Sequence, residues 1–158
     1  MITVNIAVES YLKEYITGKY FDPESGVVRF PSSLDIYHLI YDLLQKRPAG
    51  RPVDVGNLKF ALPKRRLGKD PVVYNYLSER AQKLLAKKMK LMMWAELHEM
   101  MDENKHLHGM QFKESVFIFM NRYAIESISE DAFLKNYQRW RDKLRRKTKR
   151  AYKRKTVL

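Results

Sequence analysis

The 158-residue sequence contains no cysteine. This absence excludes a disulfide scaffold, thiolate zinc sites, iron–sulfur clusters and a cysteine nucleophile. Long apolar runs are missing too: the longest, 91–95 and 116–120, have five residues each, whereas a membrane-spanning helix needs roughly 20. The first fifteen residues lack the basic and then apolar pattern of a secretory signal. We therefore expect no membrane partner and a cytoplasmic location, with association to a nucleoid or a virion.

Signatures of catalysis are also sparse. The sequence has no GxxxxGK[ST], GxGxxG or GxSxG motif. His106-Leu107-His108 copies the His-x-His spacing of rolling-circle nucleases, and Glu103-x-x-His106 copies one half of a di-iron site. The histidines have loop-like neighbours rather than an apolar strand, and a second Glu-x-x-His copy is missing. We predict no metal, no cofactor and no catalysis, with a metal-dependent nuclease as an alternative.

Positive charge is what the sequence has in excess. Its 31 Lys and Arg residues outnumber 18 Asp and Glu residues, which gives a net charge of +13. Residues 135–158 contain twelve of these basic residues and a single acidic residue, Asp142, so this segment carries a net charge of +11. A block of like charges repels itself, and a polyanion such as nucleic acid would neutralise it. The alternative is a solvated tail that only keeps the protein soluble.

The hydrophobic pattern predicts an α+β fold that is predominantly α-helical. Apolar residues predict strands over 2–8, 27–30 and 58–62. Ser10 is the expected N-cap of a first helix, and Ser32-x-x-Asp35 forms an approximate capping box for a second.

We expect four segments along the chain. They are a small α+β region over 1–63, a basic linker over 64–70, a helical region over 71–128, and a basic C-terminal helix and tail over 129–158.

The longest helical pattern follows Asp70-Pro71, a predicted N-cap and first-turn proline. Its residues recur at alternating spacings of four and three through Leu77, Ala81, Leu84, Lys88, Leu91, Ala95 and His98. A single helix over 71–103 would span roughly 50 Å, so the pattern either breaks near Ser78 or pairs with a partner chain as a homo-oligomer.

Side-chain chemistry changes along the same pattern. Its basic residues precede its acidic ones, an order that opposes the helix dipole, and the acidic end could dock on basic segments of the same or another chain. Five methionines between 89 and 101 form either core or an adaptable binding surface.

Residues 104–108 are expected to form a loop.

Two further helices are predicted after Gly109. The first carries Phe112, Val116 and Met120; the second begins after Ser129 as its N-cap. An apolar stripe on the second helix runs through Phe133, Tyr137, Trp140 and Leu144, and we expect the last two to face the core.

Residues 117–146, FIFMNRYAIESISEDAFLKNYQRWRDKLRR, resemble helix-turn-helix DNA-binding proteins of phages and other mobile elements. The resemblance implies a second helix that reads bases, since Asn and Gln pair with adenine and Arg with guanine. Here the turn is longer than in the compact family pattern. The alternative is two packed helices whose tail binds phosphates without regard to sequence.

We therefore predict a non-catalytic nucleic-acid-binding protein: a DNA-binding regulator or accessory factor of a phage or mobile element, or alternatively an RNA-binding protein of ribonucleoprotein assembly. The predicted contacts on the final helix and tail are Lys135, Asn136, Gln138, Arg139, Lys143, Arg145, Arg146, Lys147, Lys149, Arg150, Tyr152, Lys153, Arg154 and Lys155. Lys64, Arg65 and Arg66 form a second basic cluster. Tyr152 would stack on unpaired bases, and Arg139 and Lys135 rank above Asn136 because Trp140 turns Asn136 partly inward.

Overall fold

The computed structural model describes residues 1–51 and 55–155, with side chains up to Arg150. The described residues form an α+β fold that is mostly α-helical, as predicted. The helices are α1 (Ser10–Tyr20), α2 (Asp35–Leu43), α3 (Glu79–His108), α4 (Phe112–Arg122) and α5 (Glu130–Lys155). The strands are β1 (Thr3–Ile6), β2 (Phe21–Asp22), β3 (Val27–Val28), β4 (Gln45–Lys46), β5 (Leu58–Ala61) and β6 (Tyr74–Tyr76).

Four strands form a mixed sheet in the order β1-β5-β3-β2, and β4 pairs with β6 in a second sheet. β1 runs antiparallel to β5 with Val4 opposite Phe60, and β3 runs parallel to β5. Val4 and Phe60 are buried while Lys59 is exposed, so one sheet face packs on the helices. The three predicted strands are present, although shorter. β2, β4 and β6 were missed because two or three residues are too few to show a period.

The long pattern after Pro71 breaks at Ser78. Residues 71–73 form a turn, in which Asp70 Oδ1 accepts a hydrogen bond from the Val72 N–H at 3.0 Å, and 74–76 form β6. The predicted helix start at Asp70-Pro71 is therefore wrong. The adjacent β-branched and aromatic residues of 72–76 favour extended backbone. Ser78 is the actual N-cap, since its Oγ accepts from the Ala81 N–H at 3.1 Å.

The other end of α3 also differs from the prediction. The helix continues through residues 104–108, which were expected to form a loop, and ends where Gly109 adopts the left-handed conformation. The Asn104 carbonyl accepts the Gly109 and Met110 N–H groups, and the Asn104 amide donates to Ser115 Oγ at 2.8 Å. These bonds tie the end of α3 to the start of α4.

Besides Asp70, two predicted N-caps are wrong, and one is confirmed. Glu9, not Ser10, is the N-cap of α1, and Leu34 occupies that position in α2, without a side-chain cap from Ser32. Ser129 caps α5, because its Oγ accepts from the Ala132 N–H at 3.2 Å.

The core side of α3 differs from the four-three stripe seen in the sequence. Its buried apolar residues follow a spacing of four: Ala81, Leu85, Met89, Met93, Leu97 and Met101. Three of the five clustered methionines are thus fully buried, which favours the core interpretation. Leu84, Leu91 and Ala95 of the four-three stripe are exposed, whereas His98 is buried.

Candidate nucleic-acid interface

The first half of α5 is anchored in the core by aromatic contacts. Phe133 and Tyr137 are fully buried, and the Tyr137 ring lies 4.9 Å from that of Phe112. Trp140 stacks on the buried His98 with ring centroids 4.5 Å apart. These contacts fix the rotation of the helix about its axis, and with it the direction of every side chain that follows.

Asn136 belongs to this anchor. Its Oδ1 lies 2.7 Å from His98 Nε2, and its side chain is half-buried. Burial lowers the pKa of His98 below its usual value, although the bond to Asn136 opposes that shift. An amide engaged with a buried imidazole is not available to a base edge, so Asn136 is left out of the candidate interface.

Beyond Trp140, α5 leaves the body of the protein. Arg141 is half-buried, with its guanidinium 5.2 Å from the Phe112 ring centre, and every side chain over 142–150 is exposed. Leu144 is 45% exposed, so the expectation that it faces the core is wrong. The helix from 142 to 155 extends for about 21 Å without packing from its described side chains.

Basic residues run along one side of α5. Lys135, Arg139, Lys143, Arg146 and Arg150 follow one another at intervals of four, four, three and four residues, which places them on one helical face over about 22 Å. We call these five residues the α5 stripe. Lys135 pairs with Asp131 at 2.9 Å. All five are exposed, as are Gln138, Arg145, Lys147 and Lys149.

Four predicted contacts lie beyond the described side chains. The backbone of residues 151–155 continues α5. The side chains of Tyr152, Lys153, Arg154 and Lys155 fall outside the described residues.

The connection between α4 and α5 covers residues 123–129. Ala124 has a positive φ of 51°, and Ile125 is buried. The Glu14 carboxylate on α1 accepts hydrogen bonds from the backbone N–H groups of Glu126 and Ser127 and from the Ser127 hydroxyl. Burial alone would raise the pKa of Glu14, but these bonds outweigh it and hold the pKa below its usual value. The start of α5 is thereby fixed against α1.

The loop that carries the second basic cluster is held against α2 by Lys69 and Arg65. Lys69 Nζ donates to the carbonyls of Tyr41, Asp42 and Leu44 at 2.9–3.0 Å, where α2 ends. The Arg65 guanidinium lies 3.7 Å from the Tyr41 ring centre, and its Nη2 lies 2.7 Å from His38 Nδ1. Arg65 and Lys69 therefore stabilise the loop. Lys64, Arg65 and Arg66 are all exposed, and Lys69 is half-buried.

Sequence reasoning missed a polar network around Glu96, a half-buried residue of α3. Its carboxylate accepts from the Tyr15 hydroxyl at 2.7 Å and the Tyr123 hydroxyl at 2.5 Å, and Lys19 Nζ lies 3.0 Å away. Burial would raise the pKa of Glu96, yet these three donors hold it below its usual value. The network joins α1, α3 and the α4–α5 connection. The acidic second half of α3 was its one signal in the sequence.

The structure does not support the alternative of a metal-dependent nuclease at His106 and His108. His106 and His108 are exposed in the last turn of α3, and side chains two apart on a helix point to different faces. In the part of the chain that the structure describes, no three His, Asp or Glu side chains lie close enough to hold a metal ion. No described helix combines the length and apolarity needed to cross a membrane.

The chain matches none of the protein-family models, curated proteins or solved structures with which it was compared.

Proposed function

We propose that this protein binds duplex DNA without catalysis, as a regulator or accessory factor of a phage or mobile element, and that the α5 stripe is its main contact surface. The observation that carries the proposal is the run of exposed side chains over 142–150 on a helix whose first half is anchored in the core.

The charge of this extension supports a polyanionic ligand. Residues 142–150 contain six basic residues and one acid, and like charges one turn apart destabilise a helix. Neutralisation by phosphates removes that repulsion, and the release of counterions from the nucleic acid adds to the binding free energy.

The shape of the extension favours duplex DNA over duplex RNA. An α-helix with its side chains is about 10–12 Å across, and the major groove of B-DNA is about 12 Å wide. The major groove of A-form RNA is too deep and narrow for side chains to read. A rigid helix that leaves the body of the protein suits the DNA groove.

The contacts should lie further along α5 than in a compact helix-turn-helix protein. The first turn of α5 contains Glu130 and Asp131, which repel phosphates if that end enters the groove. Lys135 is held in an ion pair with Asp131, so Gln138 and Arg139 are the next exposed side chains that can bond to base edges, and Arg139 lies on the α5 stripe. We assign sequence reading to these two residues and phosphate binding to Lys143, Arg146 and Arg150.

The experiment is a salt titration of binding to a labelled random-sequence duplex. The double variant Lys143→Gln/Arg146→Gln should weaken binding. It should also reduce the slope of the logarithm of the binding constant against the logarithm of the salt concentration by up to about 1.8, since each phosphate contact contributes about 0.9. The matched control is Lys13→Gln with Lys113→Gln, two exposed residues on α1 and α4, which removes the same charge and should leave the slope nearly unchanged.

Two outcomes would overturn the proposal. Equal losses in the stripe variant and the control would show attraction by net charge alone. Tighter binding to a hairpin RNA than to the duplex, at the same salt concentration, would make RNA the ligand.

A further inference from the structure

The segment that carries the second basic cluster lies between β5 and β6. Residues 64–69 belong to no helix or strand and contain four basic residues and no acidic one. We call this segment the basic loop. Lys64 and Arg66 are exposed and form no ion pair or side-chain hydrogen bond within the part of the chain that the structure describes. Both charges are therefore available to an anionic ligand.

The basic loop also exposes an apolar side chain. The chain bends at residues 66–68, and Leu67 in the middle of this bend is 86% exposed. A single exposed leucine is ordinary on a protein surface, so exposure alone indicates no function. Leu67 differs from such residues because the chain is fixed on both sides of it.

Both fixing contacts are made with Tyr41 of α2. Before the bend, the Arg65 guanidinium lies 3.7 Å from the centre of the Tyr41 ring, and after it the Lys69 N–H donates to the Tyr41 hydroxyl at 2.8 Å. Gly68, between these contacts, has a φ of 116°, and a Cβ there would collide with the same hydroxyl oxygen. The bend is thus held close against α2 with Leu67 pointing to solvent.

Holding an exposed leucine in one place costs conformational entropy, and Leu67 buries almost no apolar area in return. A ligand that covers the side chain recovers this cost, because a contact that is already ordered loses less freedom on binding. Such a ligand must accept one apolar side chain among several cations.

We propose that the basic loop binds the minor groove of duplex DNA and that Leu67 inserts between two base pairs. This inference rests on the proposed binding of duplex DNA and adds a second contact to the α5 stripe. Proteins that bind the minor groove combine Lys or Arg with an apolar wedge, such as leucine, that unstacks a base step and kinks the duplex. The minor groove is about 6 Å wide, which admits a loop but not a helix of about 10–12 Å.

An anionic lipid surface is the other ligand that combines negative charge with an apolar interior. Even a myristoyl chain by itself gives marginal membrane binding, and one leucine side chain has far less apolar surface than that chain. The size of the apolar contact therefore favours a base step over a bilayer.

The test uses the full-length chain and a short duplex with a fluorescence donor and acceptor at its two ends. A kink brings the labels closer, so energy transfer should rise when the wild type binds. Leu67→Ala should abolish this rise and weaken binding about threefold or more, because the apolar contact is lost. Its salt dependence should equal that of the wild type, since no charge has been removed. Leu67→Phe keeps an apolar wedge and should retain the rise.

The matched control is Leu107→Ala, at a leucine of α3 that is 70% exposed. It should equal the wild type in affinity and in energy transfer, and circular dichroism checks that every variant is folded. The double variant Lys143→Gln/Arg146→Gln separates the two contacts. It should bind more weakly than the wild type but produce the same energy transfer at saturating protein, because its basic loop is intact.

Three results would overturn the inference. Wild-type binding without a rise in energy transfer, or a rise that Leu67→Ala retains, removes the wedge and leaves DNA binding by α5 in place. A wild type that does not bind the duplex removes both proposals. Binding to phosphatidylserine vesicles that Leu67→Ala abolishes, with unchanged energy transfer on the duplex, means that the loop contacts lipid.

Discussion

The imidazole of His98 stacks on the indole of Trp140 with an interplanar angle of 21° and ring centroids 4.5 Å apart. Because Asn136, one turn earlier, also contacts His98, α3 holds α5 at two successive turns. Among the side chains of α5 that the structure describes, Trp140 is the last large apolar one that is packed, since Leu144 is 45% exposed. The contact therefore marks where the anchored half of α5 ends and the exposed basic extension begins.

We expect Trp140→Ala to lower the free energy of unfolding by about 2 kcal/mol, below the full cost of removing a fully buried aromatic residue because Trp140 is half-buried. Leu144→Ala, one turn later on the same apolar stripe, should change it by less than about 0.5 kcal/mol. Chemical denaturation measures both. Equal losses would place the end of the packed region beyond Leu144.

Glu96 gives a prediction about pH. Its pKa is held below the usual carboxyl value of 4.5, so the network stabilises the fold above pH 4.5 and this contribution is lost as the pH falls through the lower folded-state pKa. Glu96→Gln should destabilise the protein at pH 7 by about 1–3 kcal/mol. The difference from the wild type should shrink as the pH falls below 4.5.

The control for this pH series is Glu114→Gln on the exposed side of α4, which should track the wild type throughout. Denaturant midpoints at several pH values provide the comparison. A Glu96→Gln deficit that stays constant down to pH 3 would mean that the carboxylate charge contributes nothing to the fold.

Lys69 gives a prediction about the end of α2. Its ammonium bonds to three carbonyls there, the part of a helix that favours a cation. Lys69→Met keeps much of the aliphatic stem and removes the charge, and should cost about 1–2 kcal/mol of unfolding free energy. Lys64→Met, on the same loop but exposed, should cost almost nothing. Thermal unfolding compares them, and equal Tm values would show that Lys69 does not stabilise α2.

The sequence predicted the fold class and most helices because their apolar residues recur with a clear period. The prediction was wrong where the helical spacing of apolar residues continued into a segment of different structure. Residues 74–76 fit the helical spacing of α3, yet they form a strand that pairs with β4. Periodicity also does not show where a core stops. Phe133, Tyr137 and Trp140 pack as their spacing indicates, but the same spacing extended to Leu144 reaches solvent.

The positive charge of the candidate site was predictable from the sequence, but the contacts of its individual side chains were not. The concentration of basic residues after residue 134 is visible in the sequence. That Asn136 turns towards His98, or that Arg65 stacks on Tyr41, depends on contacts between residues far apart in the chain. No local pattern encodes such contacts, and they show which predicted contact residues also bond or stack within the fold.

The last prediction separates base reading from phosphate binding on α5. If Arg139 enters a major groove, Arg139→Ala should cost about 1–3 kcal/mol at a preferred site selected from a random duplex pool and leave binding to unselected DNA nearly intact, because a base contact is lost. Arg146→Ala, two turns further along the α5 stripe, should weaken both by similar factors, because phosphates are the same at every sequence. Competition binding at fixed salt measures the two ratios. If Arg139→Ala also weakens both equally, α5 binds phosphates alone, and the helix-turn-helix resemblance carries no sequence specificity.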